Sequence, residues 1–213
     1  MERRAPGRRA GEPASVRIER MHRRHLRDVV RIEEATNPRP WSRKLFASEL
    51  RAPDSRVYLI ARVGAGIVGY GGLMLVARDG HVTNVGVASE HRRQHVGTRL
   101  VLGLARGAIA GGATALTLEV RVSNHAAQGL YRRFGFVPAG VRAAYYPPSD
   151  GPDRSLGARQ ADAKHPSCSR PQGREHEDAL VMWASDIDTP EYRRRLFEIE
   201  AALPTPTEFP DDR

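Results

Sequence analysis

Val85-Gly86-Val87-Ala88-Ser89-Glu90-His91-Arg92-Arg93-Gln94-His95-Val96-Gly97-Thr98-Arg99-Leu100-Val101-Leu102-Gly103-Leu104 is the stretch from which this chain reads outward. Its beginning closes a strand-like run, His81 to Val87, and its end opens a helix, Gly97 to Ala110. In that helix Leu100, Val101, Leu104, Ala108 and Ile109 share one face. The loop between them, Ser89 to His95, leads straight from strand into helix. The first turn of a helix offers N–H groups without intrahelical partners and the positive end of the dipole, which together bind phosphate. Gly97 lets the backbone approach an anion closely, and Arg92 and Arg93 add positive charge beside the amides. Alone, such a segment is an ordinary helix start; its neighbours raise it above that.

Downstream, Ala115 to Val122 alternates with period two, so Leu116, Leu118, Val120 and Val122 share one face and Glu119 lies on the other. Partial burial raises a carboxyl from about 4.3 toward a range useful to a base, while an arginine on the same face, here Arg121, pulls it down. The competing reading is a strand-edge glutamate paired with that arginine. Asn124 then opens a helix to Phe134 and is suited to cap it. Ala127, Leu130 and Phe134 form its core stripe, with Tyr131 at one edge. Such a tyrosine is either a core residue with its hydroxyl at the rim or a proton donor, since a phenol of pKa about 10 stays protonated at neutral pH. Gly135 ends the helix.

Upstream, Val16 and Ile18 suggest a short first strand, and His25 to Ala35 a helix stopping before Asn37-Pro38. Ser42 caps a second helix to about Arg51. Val57 to Val63 and Ile67 to Val76 read as a hairpin about Gly64-Ala65-Gly66, with Gly69, Gly71 and Gly72 marking a bulge or close backbone approach. Arg78-Asp79-Gly80 reads as the next turn. Val137 to Tyr145 and Ala179 to Trp183 supply further strands, and Asp188 or Thr189 before Pro190 starts a C-terminal helix to about Ala202. The domain map is a basic, disordered tail at 1–14, an α/β domain at 15–186 containing a polar insert at 148–176, and a C-terminal helix and tail at 187–213.

The composition bounds the function classes. A chain of 213 residues with 40% hydrophobic and 28% charged content suits one soluble domain with extensions. No apolar run reaches the roughly 18–20 residues that span a bilayer, and the basic N-terminus lacks the apolar core of a secretory signal. One cysteine, Cys168, permits no intrachain disulfide. The expectation is a cytoplasmic protein without a membrane partner. The net charge of +9 is carried almost wholly by arginine, Lys44 and Lys164 being the lysines. The basic N-terminal run reads first as a solvated tail and charged helix face, with a nucleic-acid-facing arm as the alternative. His91 and His95 stand at i,i+4 with no third ligand near in sequence, so no metal is expected.

The order of these pieces resembles the GNAT superfamily of acyl-CoA-dependent N-acetyltransferases, and within it the RimI-type ribosomal-protein-alanine N-acetyltransferases. The matching motifs are Pro40-Trp41-Ser42, Asn84-Val85-Gly86-Val87, Arg92-Arg93-Gln94-His95-Val96-Gly97, Leu118-Glu119-Val120-Arg121-Val122-Ser123-Asn124, Leu130-Tyr131-Arg132-Arg133-Phe134-Gly135-Phe136, Tyr145-Tyr146-Pro147 and Glu177-Asp178-Ala179-Leu180-Val181-Met182. Together they span about Val16 to Ala184. The resemblance implies an α/β (α+β) GNAT fold: a mixed, mostly antiparallel sheet flanked by helices, with splayed central strands. It implies that Val85, Gly86 and Val87 hold the acetyl and pantetheine end of acetyl-CoA. Arg92 and the run Arg93, Gln94, His95, Val96, Gly97 and Thr98 would cradle the pyrophosphate, and Asn124 would touch the pantetheine arm. Glu119 would be the proton acceptor and Tyr131 the proton donor. The implied acceptor is a protein N-terminus, that of an alanine-starting small-subunit ribosomal protein. A small amine, a broader set of N-termini, or a feebly catalytic acyl-CoA-binding protein are the alternatives. The family has glycine where this chain has His95, and only a short loop after Tyr146-Pro147.

Overall fold

In the computed structural model, residues 15–146 and 176–209 are described. The expected tail at 1–14, nearly all of the polar insert and Cys168 lie outside them. Eight strands form one sheet: β1 (Val16–Arg20), β2 (Arg56–Val63), β3 (Gly66–Val76), β4 (Asp79–Val87), β5 (Ala115–Arg121), β6 (Val137–Tyr146), β7 (Glu177–Ser185) and β8 (Thr207–Glu208). Their spatial order is β6-β7-β5-β4-β3-β2-β1-β8. The β4–β5 and β1–β8 pairings are parallel and the others antiparallel. The helices are α1 (Leu26–Thr36), α2 (Arg43–Glu49), α3 (Val96–Ala110), α4 (His125–Arg133) and α5 (Pro190–Ala201). Among the described residues no helix is long and apolar enough to cross a membrane.

Strand alternation sorts the side chains into two cores. Leu59 and Ala61 of β2 join Leu100, Val101, Leu104 and Ala108 of α3 on one face, together with Tyr192, Leu196 and Ile199 of α5. Tyr58 and Ile60, pointing the other way, pack with Leu26, Val29, Ile32 and Phe46 from α1 and α2. Ser42 caps α2 by accepting from Leu45 N at 3.2 Å, and Thr189 rather than Asp188 caps α5, accepting from Tyr192 N at 3.3 Å.

Some expectations move. The turn expected at Arg78-Asp79-Gly80 falls one step earlier: Ala77 takes a left-handed φ of 52°, and Asp79 already pairs with Val76. Gly80 must lie in the strand, because a Cβ there would stand 2.8 Å from a Leu116 methyl across β5. The strand β8 had no hydrophobic signal to announce it; it is held by Arg99, described below. The glycines of β3 do mark a close approach, since a Cβ at Gly72 would meet the Tyr58 ring at 2.4 Å. A register shift follows at Gly72/Leu73.

Candidate active site

The β4–β5 ladder ends at Val82↔Leu118, yet β4 runs on to Val87 and β5 to Arg121. Beyond that pair the two strands part, and among the described residues the β5-facing backbone of Val85, Gly86 and Val87 has no strand partner. Val85 and Val87 are half-buried beside α3, while Gly86 is buried because the Tyr70 ring occupies the space of its missing side chain, 2.4 Å from an ideal Cβ. The opening is therefore formed in the middle of the sheet, between its two central strands.

At the far side of β4, a single 3-10 turn over Ser89–His91 leads into α3. His95 is the N-cap, with φ 60° and ψ 13°, and its side chain makes no capping bond. Arg93 is left-handed too, at φ 59°. A left-handed residue at the helix entry explains why glycine suits this place; His95 adopts the same backbone at a steric cost of about 1 kcal/mol. The N–H groups of Val96, Gly97 and Thr98 make up the open first turn. Gly97 sits tight between elements, an added Cβ lying 3.3 Å from Leu130 of α4 and 3.8 Å from Val87 of β4. Arg92, Arg93 and Gln94 are exposed around this tip, Gln94 donating to Glu90 O at 3.0 Å. Free amides, a dipole end, surrounding cations and an open strand edge leading away fit a phosphate-bearing thioester carrier such as acetyl-CoA.

Arg99 secures this loop from behind. The residue is 1% exposed, and its guanidinium donates to Thr205 O at 2.7 Å, Thr205 Oγ1 at 2.8 Å, Thr207 Oγ1 at 3.1 Å and Gln94 O at 3.4 Å. These bonds draw the C-terminal segment against the sheet edge and explain β8. Burial lowers the Arg99 pKa. The sequence reading missed this residue, because an arginine in a helix's first turn is read as solvent-facing.

Glu119 lies on the interior strand β5, not at an edge, with its side chain 10% exposed. Its partners differ from expectation. Arg121 turns to Glu177, 2.8 Å away, and stacks its guanidinium 4.1 Å over the Tyr146 ring. Glu119 instead receives His81 Nε2 of β4 on Oε2 at 3.1 Å and Arg142 of β6 on Oε1 at 3.1 Å. Burial pushes the Glu119 carboxyl up, but the His81 hydrogen bond and charge, then the Arg142 charge, outweigh it, and the carboxyl sits below its ordinary range. Of the two opposing effects the sequence offered, the lowering one prevails, but through His81 and Arg142 rather than Arg121.

Tyr131 is more deeply set than an edge position, 8% exposed, with its ring 5.7 Å from that of Phe136. Burial alone pushes its phenol up to about 12. Gln128 is buried beside it on α4, donating to the carbonyls of Arg121 and Val122 at 3.2 and 2.8 Å, so α4 is tied to the end of β5. The Tyr146 hydroxyl donates to Glu119 O at 3.2 Å. Its phenol is raised by burial first, then by Tyr145, lowered by Arg121, and raised again by Glu119 and Tyr131. Glu119, Arg121 and Tyr131 thus all lie near Tyr146, Glu119 being the residue just past the last β4–β5 pair. Asn124 does act as a cap, accepting from Ala127 N at 3.1 Å, with its side chain exposed.

A second buried carboxyl supports the opposite wall. Glu33 of α1 is 1% exposed and accepts from Trp41 N at 3.0 Å, from Asn37 Nδ2 at 2.9 Å and from the Tyr70 hydroxyl. It fastens the Pro40-Trp41-Ser42 turn over the ring that fills the space beside Gly86. Among the described residues no group of three His, Cys, Asp or Glu is arranged to hold a metal.

The acetyltransferase (GNAT) family model matches residues 26–136, from α1 through the α4 stop. The chain belongs to the GNAT acetyltransferase family. As a GNAT protein it is an acetyl-CoA-dependent N-acetyltransferase. The Escherichia coli K12 ribosomal protein bS18-alanine N-acetyltransferase is 32% identical over 127 residues, covering 59% of this chain and 83% of that relative. A Bacillus subtilis relative that bears the same name provisionally is 35% identical over 168 residues, 79% of this chain and 94% of its own length. The crystal structure of the Escherichia coli ribosomal-protein-S18-alanine enzyme superposes with a TM-score of 0.64 at 25% identity, over 80% of this chain and 94% of that one.

Proposed function

We propose that this GNAT enzyme acetylates the N-terminal α-amine of a protein, and that its acceptor is an alanine-starting small-subunit ribosomal protein. The observation that carries the reaction is a nearly buried carboxylate, Glu119, just past the last β4–β5 pair, with a buried phenol, Tyr131, nearby through Tyr146. The choice of acceptor rests on the likeness to enzymes named for bS18. A ribosomal acceptor implies a cytoplasmic setting.

The coenzyme supplies an acetyl thioester; the chain supplies its positioning and the proton traffic. The Val96, Gly97 and Thr98 amides, with Arg92, Arg93, Gln94 and His95 around them, bind the pyrophosphate. The unpaired β5-facing edge of Val85, Gly86 and Val87 holds the pantetheine and acetyl end, the Val87 N–H polarising the acetyl oxygen. Asn124, having spent one lone pair on its cap, offers its amide to the pantetheine arm. An α-amine has a pKa of about 7.7–8.0, so much of it is protonated and not nucleophilic at neutral pH. Glu119 draws off that proton, and Tyr131, kept protonated by burial, supplies one to the departing sulfur. The basic N-terminal arm at 1–14 is left outside the reaction.

Intact-mass analysis after incubation with acetyl-CoA tests this reading against candidate ribosomal proteins and a panel of N-terminal peptides. A gain of one acetyl group at the α-amine, strongest for an alanine-starting small-subunit protein, is expected. Acetylation of small amines alone would move the acceptor class, and coenzyme binding without turnover on any acceptor would make this a binding protein.

A further inference from the structure

Glu119 does not stand alone on its face of the sheet. His81 and Thr117 are register partners in the parallel β4–β5 ladder, so their side chains share that face. The imidazole spans them both: Nε2 lies 3.1 Å from Glu119 Oε2, and Nδ1 lies 2.8 Å from Thr117 Oγ1. We propose that His81 is a catalytic residue of the acetyl transfer, the group that finally holds the proton withdrawn from the acceptor amine, with Glu119 as the carboxylate through which that proton passes. The inference rests on the reading of Glu119 as the group that deprotonates the amine.

Three observations lead there. First, Glu119 alone holds the proton only briefly, since a carboxyl of about 4.3 is a far weaker base than an amine of about 7.7–8.0, and the imidazole lies within hydrogen-bond distance of it. Second, of its two basic neighbours only one can exchange a proton: a guanidinium has no free acceptor site, a neutral imidazole has one. Arg142 therefore anchors Oε1 and His81 carries the traffic at Oε2. Third, exposure rises along the line, from 10% for the Glu119 side chain to 30% for that of His81, so the proton moves toward water.

The step balances without any other reactant. The ammonium N–H bond breaks and its electron pair stays on nitrogen as the lone pair that attacks the thioester. The proton passes to Glu119 and on to the lone pair of Nε2 in a neutral ring protonated at Nδ1, which then carries two N–H groups, one donating to Glu119 Oε2 and the other to Thr117 Oγ1. Loss of that proton to solvent restores the resting pair. To serve this way the neutral ring keeps its proton on Nδ1, donating it to the Thr117 hydroxyl, which leaves Nε2 free to accept.

Among the described residues, the charged groups that face His81 are Glu119 and, behind it, Arg142. Its partner on β3 is Met74, and Thr117 is uncharged. Two residues along β4, Thr83 meets the Tyr58 hydroxyl at 3.3 Å, which in turn donates to Glu49 at 3.2 Å.

The test uses the full chain, acetyl-CoA and a peptide with a free α-amine. His81→Gln keeps a polar group between Glu119 and Thr117 but cannot take up a proton. At about pH 7 its kcat should fall about tenfold to a hundredfold while coenzyme affinity stays within about twofold. The deficit should shrink as the pH is raised to about 9.5, where the amine reaches the enzyme already neutral. A Glu119→Gln, His81→Gln double variant should be no slower than Glu119→Gln alone, since both residues serve one transfer. His81→Asn serves if the first variant does not fold. Wild-type turnover in a folded His81 variant, a deficit independent of pH, or losses that multiply in the double variant would each overturn the proposal and leave N-acetylation standing. Failure of the wild-type chain to acetylate any α-amine would instead remove the proposed function and this inference with it.

Discussion

Glu119 Oε1 lies 3.1 Å from the Arg142 guanidinium, an ion pair that joins the interior strand β5 to the edge strand β6 across β7. Arg142 is largely exposed, so this contact tunes the carboxylate rather than holding the fold. Arg142 is one of the influences that lower Glu119 against the raising effect of burial, so removing it moves the carboxyl up. The folded-state pKa of Glu119 is depressed, so its active carboxylate form is lost as pH falls through that value. Arg142→Leu should therefore move the acid limb of the kcat/KM profile to higher pH, with little change in thermal stability. A pH series of initial rates checks it; an unmoved acid limb would detach Arg142 from the reaction.

Glu119→Gln should cut turnover by about a hundredfold or more while sparing coenzyme affinity. Equal loss of both, measured by steady-state kinetics and calorimetric titration of the coenzyme, would count against the proton role.

Tyr131→Phe keeps the ring that packs against Phe136 and removes only the hydroxyl. Turnover should fall about tenfold to a thousandfold with the melting temperature nearly unchanged, since no packed carbon is lost. Full activity in the folded variant would take the donor role away from this residue.

His95 holds a left-handed backbone at the head of α3. His95→Gly relieves that strain and should stabilise the protein by about 0.5–1 kcal/mol in thermal or denaturant unfolding. Coenzyme affinity should change little, because the amides rather than the imidazole form the cradle. A β-branched residue there, as in His95→Val, should weaken coenzyme binding through the displaced helix tip. Equal affinity in His95→Gly and His95→Val would refute the backbone account.

Arg99 ties the pyrophosphate loop to the C-terminal segment through Gln94 O and Thr205. Arg99→Leu should destabilise the fold by about 2–3 kcal/mol, as the loss of hydrogen bonds to a buried charged group predicts. It should also raise amide exchange at 205–208 together with the loop at 93–95. Exchange confined to the C-terminal segment would show the two to be uncoupled.

Most of the scaffold was legible from residue spacing. The 3.6 period of Leu100, Val101, Leu104 and Ala108, the two-residue period of Leu116, Leu118 and Val120, and the Ser42, Asn124 and Thr189 caps are local signals, and each came out as an element or a cap. Tyr131, Glu119 and the α3 head were identifiable because their motifs lie within short windows. The partners of Glu119 were not. His81 is 38 residues before it and Arg142 23 after it in the numbering, and the nearer Arg121 looked the better match until β7 brought Glu177 to it.

By itself, then, the sequence determined the elements, the helix tip suited to phosphate and the family to which those motifs belong, because backbone propensity, capping and amphipathic period act over a few residues. Only the tertiary structure decided which cations meet Glu119, that its carboxyl is lowered rather than raised, and that Arg99 lies buried beneath the loop. Those outcomes depend on strand order and register, and electrostatic energy follows distance in space, which no local pattern along the chain records.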